Sequence, residues 1–346
     1  MLSNKVVKRY KHLYKRYAKQ NIDIFRLYDW DIPEIRAVVD WYAGHLVIAE
    51  YVSKKFDSAW LPIMAEAVAQ SLGVDMTNVH LKERHSGYQD GKRYERTAYT
   101  DKKIVMSERD LKFYINLHDY VDTGLFSDHR NTRQMVREMA AGKDFLNLYC
   151  YTGSFSCYAA KGGANTTVSV DRSETAIQWA KENMEINGIS TETNKLIKAH
   201  TFDFLEKAKK KGQMFDLAVI DPPSFSSSRD SRHHFDIAQD HPALLKAVVE
   251  LMRKDSDSTI FFSTNHQDFE LNLDELCIGK NSGVAGKNHS SAGDSSAVKN
   301  SGAEVEDGVF IDDVCIKDIR EITPMTIPED YKTPKKKIHR CWQIIV

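Results

Sequence analysis

Five consecutive residues, Asp221-Pro222-Pro223-Ser224-Phe225, carry the strongest chemical signal in the sequence. Two adjacent prolines stiffen the chain and hold the residue before them extended, so they fix the carboxylate of Asp221 relative to the ring of Phe225. A rigid hydrogen-bond acceptor beside a flat aromatic ring suits a planar base drawn out of its stack. A structural turn would explain the prolines but not the whole combination. We therefore predict that Asp221 and Phe225 are catalytic, together with Asn265, whose side chain can hydrogen-bond a second base edge.

The segment Asn147–Gly153 is a candidate cofactor turn at the end of an apolar run. A tight turn that opens a helix suits a ligand with a carboxylate and an adenosine, because helix N-termini attract anions. Tyr149 and Tyr151 stand where two glycines are common in such turns, and Gly153 remains. An ordinary strand–helix turn is the alternative. The predicted cofactor contacts in this segment are Asn147, Tyr149, Tyr151, Thr152 and Gly153.

Two further acidic residues follow apolar runs and extend the candidate site. Asp171 ends the second run, where a carboxylate can accept both ribose hydroxyl protons. Its alternative role is to cap the helix that starts at Ser173, and one residue can do both. Asp203 is placed to accept from an adenine amino group, with Phe202 or Phe204 against the ring; a solvated loop aspartate is the alternative. We predict as cofactor contacts Asp171, Asp203, Asp221 and Pro222.

These residues must be positioned by a parallel sheet, because short apolar runs alternate with longer helical segments from about residue 142 onward. The runs are Phe145–Leu148, Thr166–Val170, Leu196–Ile197, Leu217–Ile220 and Thr259–Phe262. The helical segments include Glu174–Asn187 and Ala243–Met252, and Ile338–Val346 is typical of a closing strand. Ligands of such sheets bind at the carboxyl ends of the strands, where the candidate residues stand. The sequence therefore predicts an α/β fold with its site along one sheet edge.

Residues 1 to about 120 have a different pattern and predict a small α+β domain ahead of a second domain over 121–346. Apolar residues at helical spacing, with basic residues between them, predict an amphipathic helix at the start. Alternating runs such as Ala37–Tyr51 and Leu111–Leu117 predict strands. The segment 279–308 begins with a long run of Gly, Ser, Ala, Asn and Lys, which cannot bury a core, and we predict a disordered insertion there.

The composition excludes several classes of protein. Hydrophobic residues make up 42% of the chain, but no apolar run approaches the roughly 20 residues that span a bilayer. The polar, basic N-terminus lacks the pattern of a secretory signal. The five cysteines include no C-x-x-C pair, which argues against a disulfide framework or a zinc site and predicts a cytoplasmic protein. We predict neither a membrane partner nor a metal.

Basic residues are concentrated in two segments, although the formal net charge is -1. Residues 1–20 hold seven Lys or Arg and no acidic residue, and a second group lies at 332–340. Such patches contact phosphates without reading sequence, whereas a solvated helix face or loop is the alternative. The predicted RNA contacts are Lys8, Arg9, Lys15, Arg16, Lys335, Lys336 and Lys337.

Together these motifs resemble those of the class I S-adenosylmethionine-dependent methyltransferases. The resemblance is strongest to the guanine-N7 half of the bacterial bifunctional 23S ribosomal RNA (guanine-N2/guanine-N7) methyltransferase, and it covers nearly the whole chain apart from the Gly/Ser-rich run. Its segments are Phe25–Asp29, Asp31–Pro33, Val121–Arg130, Asp144–Gly153, Asp221–Phe225, Phe261–Asn265 and Ile338–Trp342. Asp122–Arg130 is the most family-specific of them, and by resemblance it closes over the cofactor with Phe126, Asp128 and Arg130 as contacts.

The resemblance implies S-adenosylmethionine as cofactor and a Rossmann-like sheet of seven strands whose last strand is antiparallel. It also implies a substrate in 23S ribosomal RNA or a precursor of the large subunit. The bifunctional relatives carry in addition an N-terminal RNA-binding module and a guanine-N2 methyltransferase half, and this chain starts after both. The two alternatives are a stand-alone version and a fragment of a bifunctional enzyme, and a separate chain that supplies the missing parts is an expected partner of the stand-alone version.

Three base atoms compete as the methyl acceptor. Cytosine C5 needs a cysteine nucleophile, which related enzymes carry just after the fifth strand, where this chain reads Phe262–His266 without a cysteine. Guanine N7 needs no deprotonation, so catalysis reduces to positioning and charge stabilisation. Guanine N2 is also compatible with an Asp-Pro-Pro motif, and the resemblance, not the chemistry, favours N7. A non-catalytic RNA-binding or ribosome-assembly factor that keeps the fold is the alternative outside enzymes.

Overall fold

In the computed structural model, the described residues are 1–52, 60–85, 96, 98–226, 234–255, 257–266, 268–272, 309–311, 314–333 and 337–346. The predicted insertion at 279–308 lies outside the described residues, as do Lys335 and Lys336. Within the described part of the chain, no helix is both long and apolar enough to cross a membrane.

The chain opens with a helix, α1 (Leu2–Ala18), packed on a four-stranded sheet. The strands, in their order across this sheet, are β1 (Ile24–Asp29), β2 (Ala37–Tyr42), β3 (His45–Val52) and β4 (Val79–His85). β3 and β4 are parallel, and their crossover contains α2 (Trp60–Leu72). The apolar stripe of α1 is buried with the inner face of α2 against alternate residues of β2. The predicted amphipathic helix is therefore confirmed.

A β-hairpin links this sheet to the rest of the molecule. Its strands, β5 (Ile104–Glu108) and β6 (Leu111–Ile115), are antiparallel and flank a two-residue turn. One buried cluster contains side chains from the N-terminal sheet, from the hairpin and from later helices: Ile24, Tyr42, Phe113, Ile115, Tyr158 and Met184. The hairpin thus contributes to a core that both regions share.

A seven-stranded sheet forms the second region. The remaining strands of the described residues are β7 (Asp144–Leu148), β8 (Thr166–Asp171), β9 (Asn194–Lys198), β10 (Leu217–Ile220), β11 (Phe225–Ser226), β12 (Phe235–Asp236), β13 (Thr259–Thr264), β14 (Val309–Ile311), β15 (Val314–Ile316), β16 (Asp318–Glu321) and β17 (Arg340–Ile345). The large sheet has the order β16-β17-β13-β10-β7-β8-β9, and β17 is antiparallel to both of its neighbours. The other pairs in it are parallel. This confirms the predicted seven-stranded α/β fold with its last strand antiparallel.

The sheet is covered by helices on both faces, as its apolar runs require. These helices are α3 (Arg130–Met139), α4 (Ser154–Lys161), α5 (Glu174–Ile186), α6 (Thr201–Lys210) and α7 (Ile237–Val249), followed by the short α8 (Thr323–Thr326). Along β10, Ala218 and Ile220 pack in one core cluster, whereas Leu217 and Val219 pack in another on the opposite face. The strands therefore bury both faces, and the chain segments at their carboxyl ends share one sheet edge.

The segment between β16 and β17 connects the two regions. The lysines near its end predict a loop over Thr323–Lys337 that borders the substrate site, and the first part of this segment forms α8 and a short 3-10 turn, Glu329–Tyr331. Asp330 is fully buried in this turn. Its carboxylate accepts from the Tyr17 hydroxyl at 2.7 Å, from the backbone N–H of Arg26 at 3.0 Å and from the Arg130 guanidinium at 3.1 Å. One acidic side chain therefore joins α1, β1 and α3.

Candidate cofactor and base-binding site

The turn after β7 keeps an unusual backbone path despite its tyrosines. Tyr149, Tyr151 and Gly153 all have positive φ, at 57°, 47° and 73°. A left-handed conformation costs a residue with a β-carbon about 1–2 kcal/mol, and such strain concentrates at functional sites. A β-carbon on Gly153 would also lie 2.9 Å from that of Ala180. The turn thus has a left-handed backbone at these three positions, two of them occupied by tyrosines.

Asp171 fastens this turn to the next strand end. Its carboxylate accepts from the backbone N–H of Tyr151 at 3.0 Å and from that of Ser173 at 2.9 Å. Burial raises the pKa of the carboxyl, against the effect of these two hydrogen bonds. Ser173 itself caps α5 by accepting from the N–H of Ala176. Each carboxylate oxygen has a second lone pair, so Asp171 can accept ribose hydroxyl protons while it holds the turn.

Asn147 and Thr152 hold the turn from within the protein. The Asn147 amide is buried in β7 and donates to the Ser156 hydroxyl at 2.9 Å. The Thr152 hydroxyl is also buried and donates to the backbone carbonyl of Gly124 at 2.6 Å. Both side chains were predicted as cofactor contacts. Through these protein partners both side chains shape the turn, and their contact with the cofactor stays a prediction.

The segment Asp122–Arg130 lies against this turn. Gly124 has φ of 107°, and a β-carbon there would come within 2.3 Å of the Trp179 ring. The ring of Phe126 is 38% exposed and its centroid is 5.3 Å from that of Tyr151. Phe126 and Tyr151 therefore form an accessible aromatic wall beside the turn, as a contact with an adenosine or a thioether requires.

Arg130 is buried at the junction between the two regions. Its side chain is 2% exposed, donates to Asp330 and to the carbonyl of Ile24, and lies 3.5 Å from Glu108. A buried guanidinium is stable only when it is fully paired, and here the partners belong to the junction between the two regions. Arg130 therefore connects the two regions through its side chain, and its contact with the cofactor stays a prediction.

The end of β9 supplies part of the predicted adenine pocket. Asp203 is exposed in the first turn of α6. Phe204 is buried in the core, but Phe202 is half-buried, with its ring centroid 6.2 Å from that of His200. Of the two phenylalanines considered, Phe202 is thus the one that can contact a ligand, and Asp203 stays a predicted contact.

The ends of β10 and β13 bring the predicted catalytic residues together. The Ser263 hydroxyl donates to Oδ1 of Asp221 at 2.5 Å, and the Ser224 hydroxyl donates to the side-chain Oδ1 of Asn265 at 2.6 Å. Pro222 is buried, whereas Asp221 and Phe225 are half-buried. A carboxylate, an amide and an aromatic ring thus lie at adjoining strand ends, the arrangement expected for holding a planar base.

Two histidines near Asp221 were not predicted as site residues from the sequence. Nε2 of His129 lies 3.7 Å from Oδ2 of Asp221 and 3.7 Å from Oδ2 of Asp128. The ring of His339 stacks on that of His129, with centroids 4.2 Å apart and planes at 12°. Both histidines belong to segments that carry the family resemblance, which was the available signal. A lone histidine has no spacing pattern that would assign it a role.

Asp128 holds the second histidine in place. Nδ1 of His339 donates to Oδ2 of Asp128 at 3.1 Å, and its Nε2 lies 2.9 Å from the Thr326 hydroxyl. Burial opposes the charge on Asp128, but the adjacent His129 and His339 hold its pKa below the usual value. Candidate ligand atoms of Asp128, His129 and His339 lie within 4.8 Å of one another. Two nearly parallel rings direct their lone pairs along parallel planes, however, so we propose no metal here.

The predicted RNA contacts on α1 divide into two groups. Lys8 and Lys15 are exposed. Arg9 donates to the carbonyl of Asp330 at 2.8 Å, and Arg16 donates to the carboxylate of Glu329 at 2.7 Å. α1 therefore contacts the Glu329–Tyr331 turn, which lies directly before the second basic segment, and its two arginines have acidic or carbonyl partners there. Lys337 pairs with Glu321 at 3.3 Å.

The residues present fit S-adenosylmethionine. The turn opens α4, whose N-terminus suits the carboxylate of the amino-acid part, and Asp171 suits the ribose hydroxyls. Phe126 and Tyr151 supply an aromatic wall. Asp221 lies at the adjoining strand end, in register beside β7, which places the residues predicted to hold a base next to this cofactor site.

Comparisons with known proteins agree with this arrangement. Residues 63–270 match the family model described as S-adenosylmethionine-dependent methyltransferase. The chain is 38% identical to the ribosomal RNA large subunit methyltransferase K of Neisseria meningitidis over 99% of its own length and 86% of that protein. It is 34% identical to the ribosomal RNA large subunit methyltransferase K/L of Vibrio cholerae, again over 99% of its length but over 43% of that longer protein.

A solved structure supports the fold. The chain resembles the crystal structure of SMU.776, described as a methyltransferase complexed with SAH, with a TM-score of 0.68 at 19% identity. The likeness covers 99% of this chain and 82% of that one. Together with the extent of the family match, these similarities show that the chain belongs to the S-adenosylmethionine-dependent methyltransferases, in the same family as the ribosomal RNA large subunit methyltransferase K of Neisseria meningitidis.

Proposed function

We propose that this chain methylates N7 of a guanine in 23S ribosomal RNA or in a precursor of the large subunit. The observation that carries the proposal is the pocket at the ends of β10 and β13, where Asp221, Phe225 and Asn265 adjoin the cofactor turn. The names of the two relatives support a ribosomal RNA substrate, since the chain matches one of them over most of its length.

The pocket suits a guanine whose N7 faces the cofactor. Bound S-adenosylmethionine supplies an electrophilic methyl group, and N7 has an in-plane lone pair, so no base is needed to remove a proton. The task of the protein is to hold the ring in line and to favour the positive charge that develops on it. Asp221 can accept a hydrogen bond from N1–H or from the amino group of guanine. Its negative charge offsets the positive charge of the methylated base. Phe225 can stack on the ring while Asn265 binds another edge.

Cytosine-C5 methylation is disfavoured by the described thiols. Cys341 is fully buried near Asp221, and burial raises the pKa of its thiol well above the usual value. Burial also raises the pKa of the Cys150 and Cys157 thiols. The thiolate is the nucleophilic form, so none of these three is suited to attack C6 of a pyrimidine. Guanine-N2 methylation is the alternative, and the identity of the labelled nucleoside distinguishes it from N7 methylation.

RNA binding is proposed for the exposed lysines of α1, Lys8 and Lys15, with Lys335, Lys336 and Lys337 as further predicted contacts. These side chains would neutralise phosphates without reading sequence. Arg9 and Arg16 would contribute positive potential while they hold the Glu329–Tyr331 turn. A separate chain with an RNA-binding module and a guanine-N2 methyltransferase is a possible partner in this scheme.

The test is mass spectrometry of nucleosides from 23S RNA incubated with the protein and labelled S-adenosylmethionine, with RNA from a strain that lacks the enzyme. We expect labelled 7-methylguanosine. Labelled N2-methylguanosine or 5-methylcytidine would overturn the assignment of the atom. No label, together with no heat of cofactor binding in calorimetry, would favour a non-catalytic RNA-binding factor.

Two variants separate the cofactor site from the base site. Asp171→Ala removes an acceptor for two backbone N–H groups and for the ribose, each loss costing about 1–3 kcal/mol, so we expect calorimetry to detect no cofactor binding. Asp221→Ala leaves the cofactor turn intact, and we expect unchanged cofactor binding with no labelled nucleoside. Turnover at the wild-type rate in Asp221→Ala would contradict its role.

A further inference from the structure

Asp221 has a hydrogen-bond donor on one carboxylate oxygen and a histidine nitrogen close to the other. The Ser263 hydroxyl donates to Oδ1, and Nε2 of His129 lies 3.7 Å from Oδ2. His129 is 6% exposed, and its Nδ1 has no hydrogen-bond partner among the described residues. Its polar contacts in this part of the chain are therefore directed towards Asp221 and Asp128 through Nε2.

We assign the proton of the His129 ring to Nε2 from its surroundings. A lone pair aimed at two carboxylates would be repelled, whereas an N–H there is attracted by both. Burial, followed by the neighbouring His339, lowers the pKa of His129. Asp221 and Asp128 act in the opposite direction, and Arg133 acts in the same direction as His339. The neutral ring that results still offers Nε2–H as a donor.

The plane of this ring is fixed by its neighbours. His339 stacks on one face at 4.2 Å, and the ring of Phe155 approaches at 5.8 Å and 64°. His339 is itself held by Asp128 and Thr326. Rotation of the His129 ring would therefore require that this packing be broken, so the direction of Nε2–H is set before any substrate binds.

We propose that His129 is a positioning residue that directs the Asp221 carboxylate towards the target base, with His339 and Asp128 fixing its orientation. The inference rests on the role proposed above for Asp221. With Ser263 on one oxygen and His129 on the other, the carboxylate is turned so that its remaining lone pairs can accept from the base. His129 acts through Asp221 and does not touch the reacting atoms.

The test is a double-mutant cycle of His129→Leu and Asp221→Asn, with kcat, KM for RNA and the Kd of S-adenosylmethionine measured for all four proteins. We expect Asp221→Asn to lower kcat by about 100-fold or more, the typical loss on removal of one oriented polar group. His129→Leu should lower kcat by roughly 10- to 100-fold with cofactor affinity unchanged, because misplacement of a catalytic group costs up to that much. In the Asp221→Asn background, His129→Leu should lower kcat by a further factor of less than about 2.

The conservative variant His129→Gln keeps an N–H at a similar reach, so we expect kcat within about 5-fold of wild type. If His129→Leu lowered kcat by the same 10- to 100-fold in the Asp221→Asn background, the inference would be overturned, while the role of Asp221 would be unaffected. An unchanged kcat in Asp221→Asn alone would overturn the proposed function of the pocket. If His129→Leu fails to bind cofactor, His129→Gln decides: retained kcat supports the inference, and lost kcat with normal cofactor binding contradicts it.

Discussion

The left-handed conformations of Tyr149 and Tyr151 suggest what the cofactor turn requires. Glycine would adopt these conformations without strain, but it would supply no side chain. The Tyr151 ring packs near Phe126 and Trp179, and the Tyr149 ring lies 5.9 Å from that of Phe235. Burial of these rings offsets the backbone strain, so the turn keeps its path and gains walls that a glycine-rich turn lacks.

Gly124→Ala should weaken cofactor binding and stability together. The new methyl group would come within 2.3 Å of the Trp179 ring, in addition to the strain of φ at 107°. Overpacking of this kind costs about 1–3 kcal/mol. Thr152 donates to the carbonyl of Gly124, so a shift of this segment would move the cofactor turn. Thermal unfolding and calorimetry with S-adenosylmethionine measure the two effects.

Gly44→Ala is the matched control for that change. Gly44 has a similar φ of 99°, but a β-carbon there meets no atom within 4 Å. The control should show the modest destabilisation of a strained backbone and no change in cofactor affinity. Equal losses in the two variants would mean that contact with Trp179 has no part in positioning the turn.

Among single residues, the sequence pointed to the carboxylates of the candidate site more clearly than to the side chains around them. Asp221 and Asp171 were predicted because each follows an apolar run, and strand ends share an edge. Asp128 and Arg130 come from one motif, yet Asp128 contacts His129 and His339 while Arg130 is buried towards Asp330. Successive residues of a helical turn point about 100° apart, so a motif cannot assign both to the same ligand.

Among the elements, β16 and β17 are joined by a charged pair at the edge of the large sheet. The Arg340 guanidinium donates to both oxygens of Glu321, at 3.1 Å and 2.7 Å. This hydrogen bonding is the main reason that the pKa of Glu321 falls to about 2 in the folded protein, although burial opposes it. The pair therefore makes the stability of this edge depend on pH.

Glu321→Gln should lower the free energy of unfolding at neutral pH and flatten its acid dependence. A carboxyl with a lowered pKa stabilises the fold above its ordinary value of 4.5, and that contribution is lost as the pH falls towards 2. Because the side chain is 29% exposed, solvent screening limits the effect to about 1 kcal/mol. Urea unfolding between pH 7 and pH 2.5 measures it.

Glu174→Gln serves as the comparison, because Glu174 pairs with Lys198 while 70% exposed. Its unfolding free energy should follow that of the wild type at each pH. If the curve of Glu321→Gln ran parallel to the wild-type curve down to pH 2.5, the pair with Arg340 would have no part in acid stability.

The elements of the large sheet were predictable because each central strand is a short apolar run between helices. The segment after β16 was not. Its lysines predicted a solvent-facing loop at the substrate border; that position stays a prediction, but the burial of Thr326, Asp330 and Tyr331 beneath α1 and α3 was not foreseen. A buried aspartate carries no sequence signal until its partners are known, and Tyr17 and Arg130 are far away along the chain.

At the scale of the molecule, Asp330 fastens the N-terminal region to the methyltransferase sheet. Asp330→Ala would leave the Arg130 charge buried with one partner fewer, and would also remove the acceptor for the Tyr17 hydroxyl. Breaking a buried pair on one side costs about 3–5 kcal/mol, so we expect a loss of that size in urea unfolding.

Asp257→Ala is the control for this loss, because Asp257 pairs with Lys317 at the surface and is 85% exposed. We expect a change within about 0.5 kcal/mol. A loss of under 1 kcal/mol in Asp330→Ala would show that the two regions are held together by their shared apolar core instead.

The place of β17 in the sheet has a consequence for synthesis. This strand comes after all the others in chain order, yet it lies inside the sheet, between β16 and β13. Chains emerge from the ribosome at about 5–20 residues per second, so the edge strand β16 waits roughly 1–4 seconds for the strand that joins it to β13. His339, directly before β17, arrives at the same moment. The nascent protein therefore has its cofactor turn before it has the support of its base pocket, and it becomes a competent enzyme only at the end of translation of this segment.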